Sequence, residues 1–400
     1  MRILVLNAGS GSQKSSLFEL AAASAEPVKP VWQASIDWTH RSDAAEMTVE
    51  TASGQSLQTE LSEMSRAAAV AKMLETLWSG PTQVIERKAD IDAVGHRVVH
   101  GGQDYRQATR VDAEVKAAID RLSALAPTHN PHSLAGIEAI EQTLGDVPQV
   151  VVFDTAFHRQ IPEPAARYPL PNLEANIRRY GFHGTSHRYC THRAAQLLDR
   201  PVEALRLIVC HLGNGCSLAA VRDGHSVDTT MGFTPLEGLM MGTRSGSIDP
   251  GILLYLMRQG YSVDRLDHLL NRGSGLKGVS GIGADLRRIF PAIDAGNHAA
   301  KLAYDMYIHR LRSGIGAMLA NLDRLDALVF TGGVAQHQPN VRDRACAGLD
   351  FWGIELAADK NVYCDRDHVI SADASPVIVL VIHTQEEWQI AQETYQLLTP

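Results

Sequence analysis

Three apolar runs in this chain each end in a small-residue turn with hydrogen-bond donors. Ile3-Leu4-Val5-Leu6 leads into Asn7-Ala8-Gly9-Ser10-Gly11-Ser12-Gln13-Lys14. Leu207-Ile208-Val209-Cys210 leads into His211-Leu212-Gly213-Asn214-Gly215, and Leu328-Val329-Phe330 into Thr331-Gly332-Gly333. A strand that delivers a glycine-rich turn lets backbone N–H groups approach phosphate oxygens closely. Placed in both halves of one chain, the three turns predict a site that grips several phosphates in a cleft between the halves. After the first two turns the chain continues as Ser15-Ser16-Leu17-Phe18-Glu19-Leu20 and Cys216-Ser217-Leu218-Ala219-Ala220-Val221. The second of these reaches Arg222-Asp223-Gly224. Short, mostly alternating runs of this kind predict hairpins. A P-loop or dinucleotide fold would start a helix directly after the glycines, and the first turn also lacks the Gly-Lys-Ser/Thr ending of a P-loop.

Bulk properties narrow the classes further. A chain of 400 residues is long for a single core, which predicts two domains. Hydrophobic and charged contents of 45% and 20% describe an ordinary soluble protein. The net charge of -8, with no basic run, argues against nucleic acid as a partner. The apolar start is too short for a signal peptide, and the run from Pro376 to Ile382 is too short to span a bilayer. The five cysteines, Cys190, Cys210, Cys216, Cys346 and Cys364, include no Cys-x-x-Cys pair. Free thiols in a reducing cytoplasm are expected, with Cys210 and Cys216 buried in strands.

The first half alternates strands with helices. Helices are expected over 67–78, 112–125 and 133–144, with strands from Ile91 into Gly95-His96-Arg97-Val98-Val99 and over Val150-Val151-Val152-Phe153. The pattern restarts in the second half, with a helix over 187–198, a long helix over 298–322 and a strand over 377–382. Two halves that each open with a hairpin and continue β-α-β predict a duplicated α/β unit, although no residue-level repeat stands out. The expected domains are residues 1–154 with 384–400, and residues 155–383. The final helix should pack back on the first half. Thr384 and Glu387 fit a capping box, which gives Glu387 a structural task and leaves Glu386 free.

Glycine loops bind phosphate but do not act on it. Arg97 lies within a strand-like run, where a charge must be paired or functional. Arg244 lies in the flexible stretch Met240-Met241-Gly242-Thr243-Arg244-Ser245-Gly246. Two arginines from opposite halves suit two planar oxyanions, and either can equally be half of a structural salt bridge. Asp154 follows a buried strand, where ligands of α/β sheets bind, and a lone carboxylate there suits Mg²⁺. Glu386 can supply a second. His183, between glycines in Tyr180-Gly181-Phe182-His183-Gly184-Thr185-Ser186-His187, can reach a ligand, and His129 is a second candidate.

These segments, together with Asp228 to Gly238, Gly242 to Gly251 and Thr384 to Ala391, resemble the acetate kinase (acetokinase) family nearly end to end. The resemblance implies an α/β fold of two duplicated actin-like (ribonuclease H-like) domains with a cleft between them. It implies reversible phosphoryl transfer from ATP to acetate with Mg²⁺ or Mn²⁺, and a homodimer paired through the region of the long helix. Catalysis would fall to Asp154, Arg97, Arg244 and His183, and the acyl group to Arg97, Val99, Phe182 and Pro235. Phosphate and nucleotide would meet Ser10, Ser12, Lys14, His211, Gly213, Asn214, Gly215, Asp285, Leu286, Arg287, Gly332 and Gly333, and the metal Asn7 and Glu386. Loss of Arg97 or Arg244 is then expected to cost orders of magnitude in turnover with normal folding. The family pattern is broken at Thr128, where Leu is usual, at Val334-Ala335-Gln336-His337 after the glycine pair, and around Gln13 and Ser15-Ser16. The first bears on acyl preference and the second on the phosphoryl donor. Propionate or another short carboxylate as acceptor, and pyrophosphate as donor, stay open. A non-catalytic, nucleotide-driven module of the actin kind is the third reading.

Overall fold

Both early glycine-rich turns are hairpin tips. The computed structural model describes residues 1–9, 11–22, 24, 26–38, 44–62, 64–127, 129–171, 177–363 and 365–399. Ser10, Thr128 and Cys364 lie outside the described residues. The chain divides into two compact units, Met1–Ala156 with Gln385–Pro400, and Phe157–Thr384.

In the first unit β1 (Arg2–Ala8), β2 (Ser12–Glu19), β3 (Trp32–Asp37), β4 (Ala44–Thr51) and β5 (Ser56–Ser62) form an antiparallel meander. Helix α1 (Arg66–Glu75) follows. β6 (Ala93–Val98) then runs parallel to β1, and it is followed by β7 (Thr109–Arg110), α2 (Ala113–Leu122), α3 (Asn130–Leu144) and β8 (Gln149–Phe153). The sheet order is β5-β4-β3-β2-β1-β6-β8-β7. Ile3 to Leu6 are all buried, as expected of a strand covered on both faces. Asp112 caps α2 by accepting from the Val115 N–H at 2.8 Å, so the acidic start read in the sequence is a true N-cap.

The second unit contains α4 (Glu163–Ala166), α5 (Gly184–Leu197), β9 (Arg206–Leu212), β10 (Cys216–Arg222) and β11 (His225–Thr229). It continues with α6 (Pro250–Arg258), α7 (Val263–Arg272), α8 (Gly275–Ser280), α9 (Leu286–Asp294) and α10 (His298–Leu319). β12 (Ala327–Thr331), α11 (Gly333–His337), α12 (Pro339–Cys346), β13 (His368–Val369) and β14 (Ile378–Val381) complete it. The sheet order is β11-β10-β9-β12-β14-β13. Its strand plan repeats that of β3-β2-β1-β6-β8-β7: three antiparallel strands, then two parallel to the third, then a two-residue antiparallel strand at the edge. The duplication is therefore one of topology, and the fold is a pair of actin-like α/β units. Cys210 and Cys216 are fully buried in β9 and β10, and burial pushes both thiols up. Among the described residues no helix is long and apolar enough to cross a membrane.

The last helix, α13 (Glu386–Leu398), packs on β1, β2, β6 and β8 of the first unit. Gly95 on β6 makes that possible: a Cβ there would stand 2.5 Å from Thr394 Oγ1 and 2.8 Å from Ile390 Cγ2. The expected capping box is absent. Gln385, not Thr384, is the N-cap residue and makes no side-chain cap bond, while the buried Thr384 hydroxyl has no partner. Gly95→Ala should destabilise the protein by about 1–3 kcal/mol through overpacking, read as a lower urea midpoint at unchanged slope. A midpoint equal to that of the unsubstituted chain would contradict this packing.

Candidate active site

In the first unit the side chains converge where β1, β6 and β8 end. Arg97, one residue before the end of β6, donates from Nε (3.1 Å) and Nη2 (2.5 Å) to Asp154 Oδ2, just past β8. Its Nη1 donates to Asn7 Oδ1 at 3.5 Å and to the Ala8 carbonyl at 3.3 Å. Asn7 Nδ2 in turn donates to Glu386 Oε2 at 3.2 Å and Glu387 Oε1 at 2.9 Å, at the start of α13. Burial disfavours the charge on Arg97, but Asp154, Glu386 and Glu387 outweigh it and hold the guanidinium above its ordinary value.

This arrangement corrects several sequence expectations. Asp154 is not a lone carboxylate, because it is the partner of Arg97. Glu386 is not free, and Glu387 is not a cap; both accept from Asn7. Arg97 cannot be removed without leaving Asp154, 1% exposed, as a buried charge without its countercharge, so normal folding of Arg97→Ala is not to be expected. Three carboxylates here face one guanidinium, an excess of negative charge that suits a divalent cation. Among the described residues no three acidic, His or Cys groups converge as a ligand set.

In the second unit the hairpin between β9 and β10 supplies the frame. The Gly213 N–H donates to the Gly215 carbonyl at 3.0 Å, and the Gly242 N–H donates to the Asn214 carbonyl at 3.2 Å. A Cβ on Gly242 would stand 2.4 Å from Asn214 Oδ1 and 3.0 Å from the Ala284 Cβ, so glycine lets the 240–246 stretch lie against the hairpin tip without displacing the Asn214 side chain. That contact brings Arg244 to Gly215. A Cβ built on Gly215 would be 3.3 Å from His183 Nε2 and 3.6 Å from Arg244 Nη1. Arg244 donates only to the Pro235 carbonyl (3.3 Å) and weakly to Met241 Sδ (4.0 Å), with no carboxylate partner among the described residues. Burial lowers its pKa. Of the two arginines, then, Arg97 is half of an ion pair and Arg244 is not.

His183 is the N-cap residue of α5 and has φ 56°, a left-handed conformation that costs a non-glycine residue about 1–2 kcal/mol. α5 starts three residues earlier than expected, which places His183 and His187 on one face of its first turn. The His183 ring stacks on His211 at 4.3 Å. Its Nδ1 is 2.9 Å from Ser217 Oγ, which is also 2.8 Å from His187 Nε2, while His211 Nδ1 is 2.8 Å from Ser186 Oγ.

The remaining candidates are distributed as follows. Ser12 and Lys14 lie on β2, with Lys14 exposed opposite Asn7. Val99 and Phe182 are buried, and Pro235 is half-buried. Gly332, at φ 83°, lies where a Cβ would meet the Leu212 carbonyl at 2.7 Å, whereas the Cβ position of Gly333 is open space. Asp285 caps α9 through the Arg287 N–H (2.9 Å) and is paired with the Arg287 side chain; Leu286 is buried. His129 is the N-cap residue of α3. The sequence reading missed Glu387, Ser217, His187 and Ser186. Two signals were present: His187 stands four residues after His183, and Ser217 lies opposite His211 once the hairpin is drawn.

The Acetokinase family model matches residues 2–392. Curated acetate kinases of Gloeobacter violaceus (strain ATCC 29082 / PCC 7421) and Cyanothece sp. (strain PCC 7425 / ATCC 29141) are 59% and 57% identical to this chain. They cover all of it and 100% and 98% of their own lengths. Among solved structures, Porphyromonas gingivalis acetate kinase superposes with a TM-score of 0.91 at 39% identity over the whole of both chains. A propionate kinase from Francisella tularensis subsp. tularensis SCHU S4 gives 0.89 at 36% identity over 99% of each. On this whole-length likeness the chain belongs to the acetokinase family.

Proposed function

We propose that the protein catalyses reversible phosphoryl transfer from ATP to acetate, with Mg²⁺, giving acetyl phosphate and ADP. The observation that carries this reading is Arg244, a half-buried cation with no carboxylate partner among the described residues, which flanks Gly215 together with His183. A cation held without a countercharge suits an anionic ligand.

The chemistry needs no general base. A carboxylic acid has a pKa of about 4–5, so the acceptor is already the nucleophile at neutral pH. The obstacle is that an anion must approach an anion. The protein must screen that repulsion, align oxygen with phosphorus and stabilise charge that spreads onto the equatorial oxygens. Arg244 and Arg97 are assigned the acyl carboxylate and the transferring group, and His183 a phosphoryl oxygen. The backbone of Gly213 to Gly215 and of Gly332-Gly333, with Ser10, Ser12, Lys14 and His211, is assigned the phosphates. The Asp285 to Arg287 segment is assigned the adenosine, and Val99, Phe182 and Pro235 the acyl methyl. Asn7, Asp154 and Glu386 are the residues that would hold Mg²⁺, which when bound neutralises phosphate charge.

In this reading the first unit, with α13, is the N-terminal acetokinase domain. The second carries nucleotide binding and dimerisation, and the protein works as a cytoplasmic homodimer. The dimer reading is supported by α6, which buries none of its residues and exposes Ile252 (44%), Leu254 (56%), Tyr255 (60%) and Met257 (49%). An apolar face of that kind suits a second copy of the chain.

Four measurements test these assignments. In a donor-by-acceptor matrix with hydroxylamine trapping, ATP with acetate should give the fastest acyl phosphate formation. Faster trapping with propionate or with pyrophosphate would transfer the assignment to that pair, and none with any short acid would favour a non-catalytic module. Arg244→Ala should lose roughly 10³-fold or more in kcat with an unchanged unfolding midpoint. Arg97→Ala should lose activity and also about 3–5 kcal/mol of stability, part of which returns on adding Asp154→Ala; no recovery in the double variant would sink the buried-pair account. Leu254→Glu should shift sedimentation from dimer toward monomer, and a native chain that sediments as a monomer would remove the dimer reading.

A further inference from the structure

We propose that His187 and Ser217 form a one-way hydrogen-bond relay that fixes His183 with its ring proton on Nε2. The atoms are His187 Nε2, Ser217 Oγ and His183 Nδ1, joined at 2.8 and 2.9 Å. His187 sits on α5 one turn after His183, and Ser217 sits on β10 opposite His211. His187 and Ser217 are fully buried.

Each link can run in either direction in principle, but only one direction leaves every buried proton with an acceptor. Among the described residues His187 Nδ1 has no hydrogen-bond partner. If Ser217 donated to His187 Nε2, the neutral ring would carry its proton on that orphan Nδ1. A buried N–H without an acceptor costs about 1–3 kcal/mol, and orphan donors are rarer than under-used acceptors. His187 cannot escape by taking a second proton, because burial, and then the neighbouring His158 and His211, push it well below the ordinary histidine value. So His187 donates from Nε2. Ser217 could then accept from both rings, but its hydroxyl has no third partner and its own proton would be stranded. The hydroxyl proton must therefore point at His183 Nδ1, which accepts it. One acceptor nitrogen leaves His183 a single place for its proton, Nε2.

That nitrogen lies 3.3 Å from the Cβ position of Gly215, and Arg244 Nη1 lies 3.6 Å from the same point. The relay presents a fixed N–H donor there without placing a second full positive charge against the guanidinium. Like charges at that spacing would repel. His211, stacked on His183 with its own Nδ1 at Ser186 Oγ, limits rotation of the ring. Ser217 and His187 are positioning residues, acting through His183. The proton assignment does not depend on the activity, whereas its kinetic consequence rests on the phosphoryl-transfer reading above.

Neutron diffraction from perdeuterated crystals of the whole chain tests the assignment with no variant. Deuterium is expected on Nε2 of His183 and of His187, with the Ser217 deuteron aimed at His183 Nδ1. Deuterium on Nδ1 of either ring overturns the relay. In the hydroxamate assay, Ser217→Ala should lower kcat about tenfold or more while KM for ATP stays within about twofold. His187→Gln, whose amide N–H replaces the Nε2 donor, should keep most of the activity that His187→Phe loses. Unchanged kcat in Ser217→Ala, or equal loss in the two His187 variants, overturns the kinetic role. A native chain that makes no acyl phosphate refutes the phosphoryl-transfer reading, and the neutron map still decides the relay.

Discussion

The ion pair between Arg97 and Asp154 locks the ends of the neighbouring strands β6 and β8 together in the first unit. Arg97 ends β6, Asp154 follows β8, and the same guanidinium reaches the Asn7 side chain and the Ala8 carbonyl at the end of β1. Asn7 extends the knot to the first turn of α13 through Glu386 and Glu387. A buried pair of this kind adds little to stability, because the cost of desolvating two charges offsets most of their attraction. What it imposes is geometry. Three parallel strand ends and a helix start hundreds of residues away in sequence must arrive together, or a charge is left buried without its partner. Gly95, two residues earlier on β6, serves the same end by letting α13 sit flush on the sheet.

The two units resolve their charges in opposite ways. Around Arg97 the carboxylates outnumber the cation, and every one of them is engaged by Asn7 or Arg97. Among the described residues Arg244 has no carboxylate partner. Burial of an unpaired guanidinium carries a desolvation cost that its two weak acceptors do not offset, which is why its pKa is lowered. An anionic ligand would offset that cost on binding. The excess negative charge in the first unit and the uncompensated positive charge in the second are both liabilities for folding. In the proposed reading both become assets, for a reaction whose participants would be a dication and several oxyanions.

Local sequence carried the hairpins well, because alternation, glycine and Asp-Gly signals all act within a few residues. It also carried Arg97 and Asp154, since a charge in or just past an apolar strand demands an explanation. It did not carry the pairing of these two with each other, which depends on the register between β6 and β8. The capping box at Thr384 failed for a related reason. The local motif was present, but Asn7 competed for Glu387 from the far end of the chain, and the helix began at Glu386 instead. Ser217 and His187 were illegible because neither is unusual alone. A serine in a strand and a histidine in a helix acquire meaning only when β10 lies beside the first turn of α5. The duplicated topology was readable as a rhythm of elements and not as a repeat of residues.

That last contrast bears on how one strand plan came to hold two chemistries. In both units the ends of the parallel strands, with the tip of the opening hairpin, present the functional groups, as α/β sheets generally do. The first unit fills those ends with side chains: Asn7 one residue before the end of β1, Arg97 one residue before the end of β6 and Asp154 just after β8. The second fills the corresponding ends with backbone: Gly213 to Gly215 after β9 and Gly332-Gly333 after β12. Side chains can offer full charges and selective geometry, whereas glycine backbone offers close N–H donors with no steric bulk. In the proposed reading, a fold that keeps the strand ends and changes only what they carry would offer backbone donors for phosphate from one copy and charged side chains for the metal from the other. Topology survives that division of labour because the buried strand interiors, Ile3 to Leu6 and Leu207 to Cys210, answer only to packing.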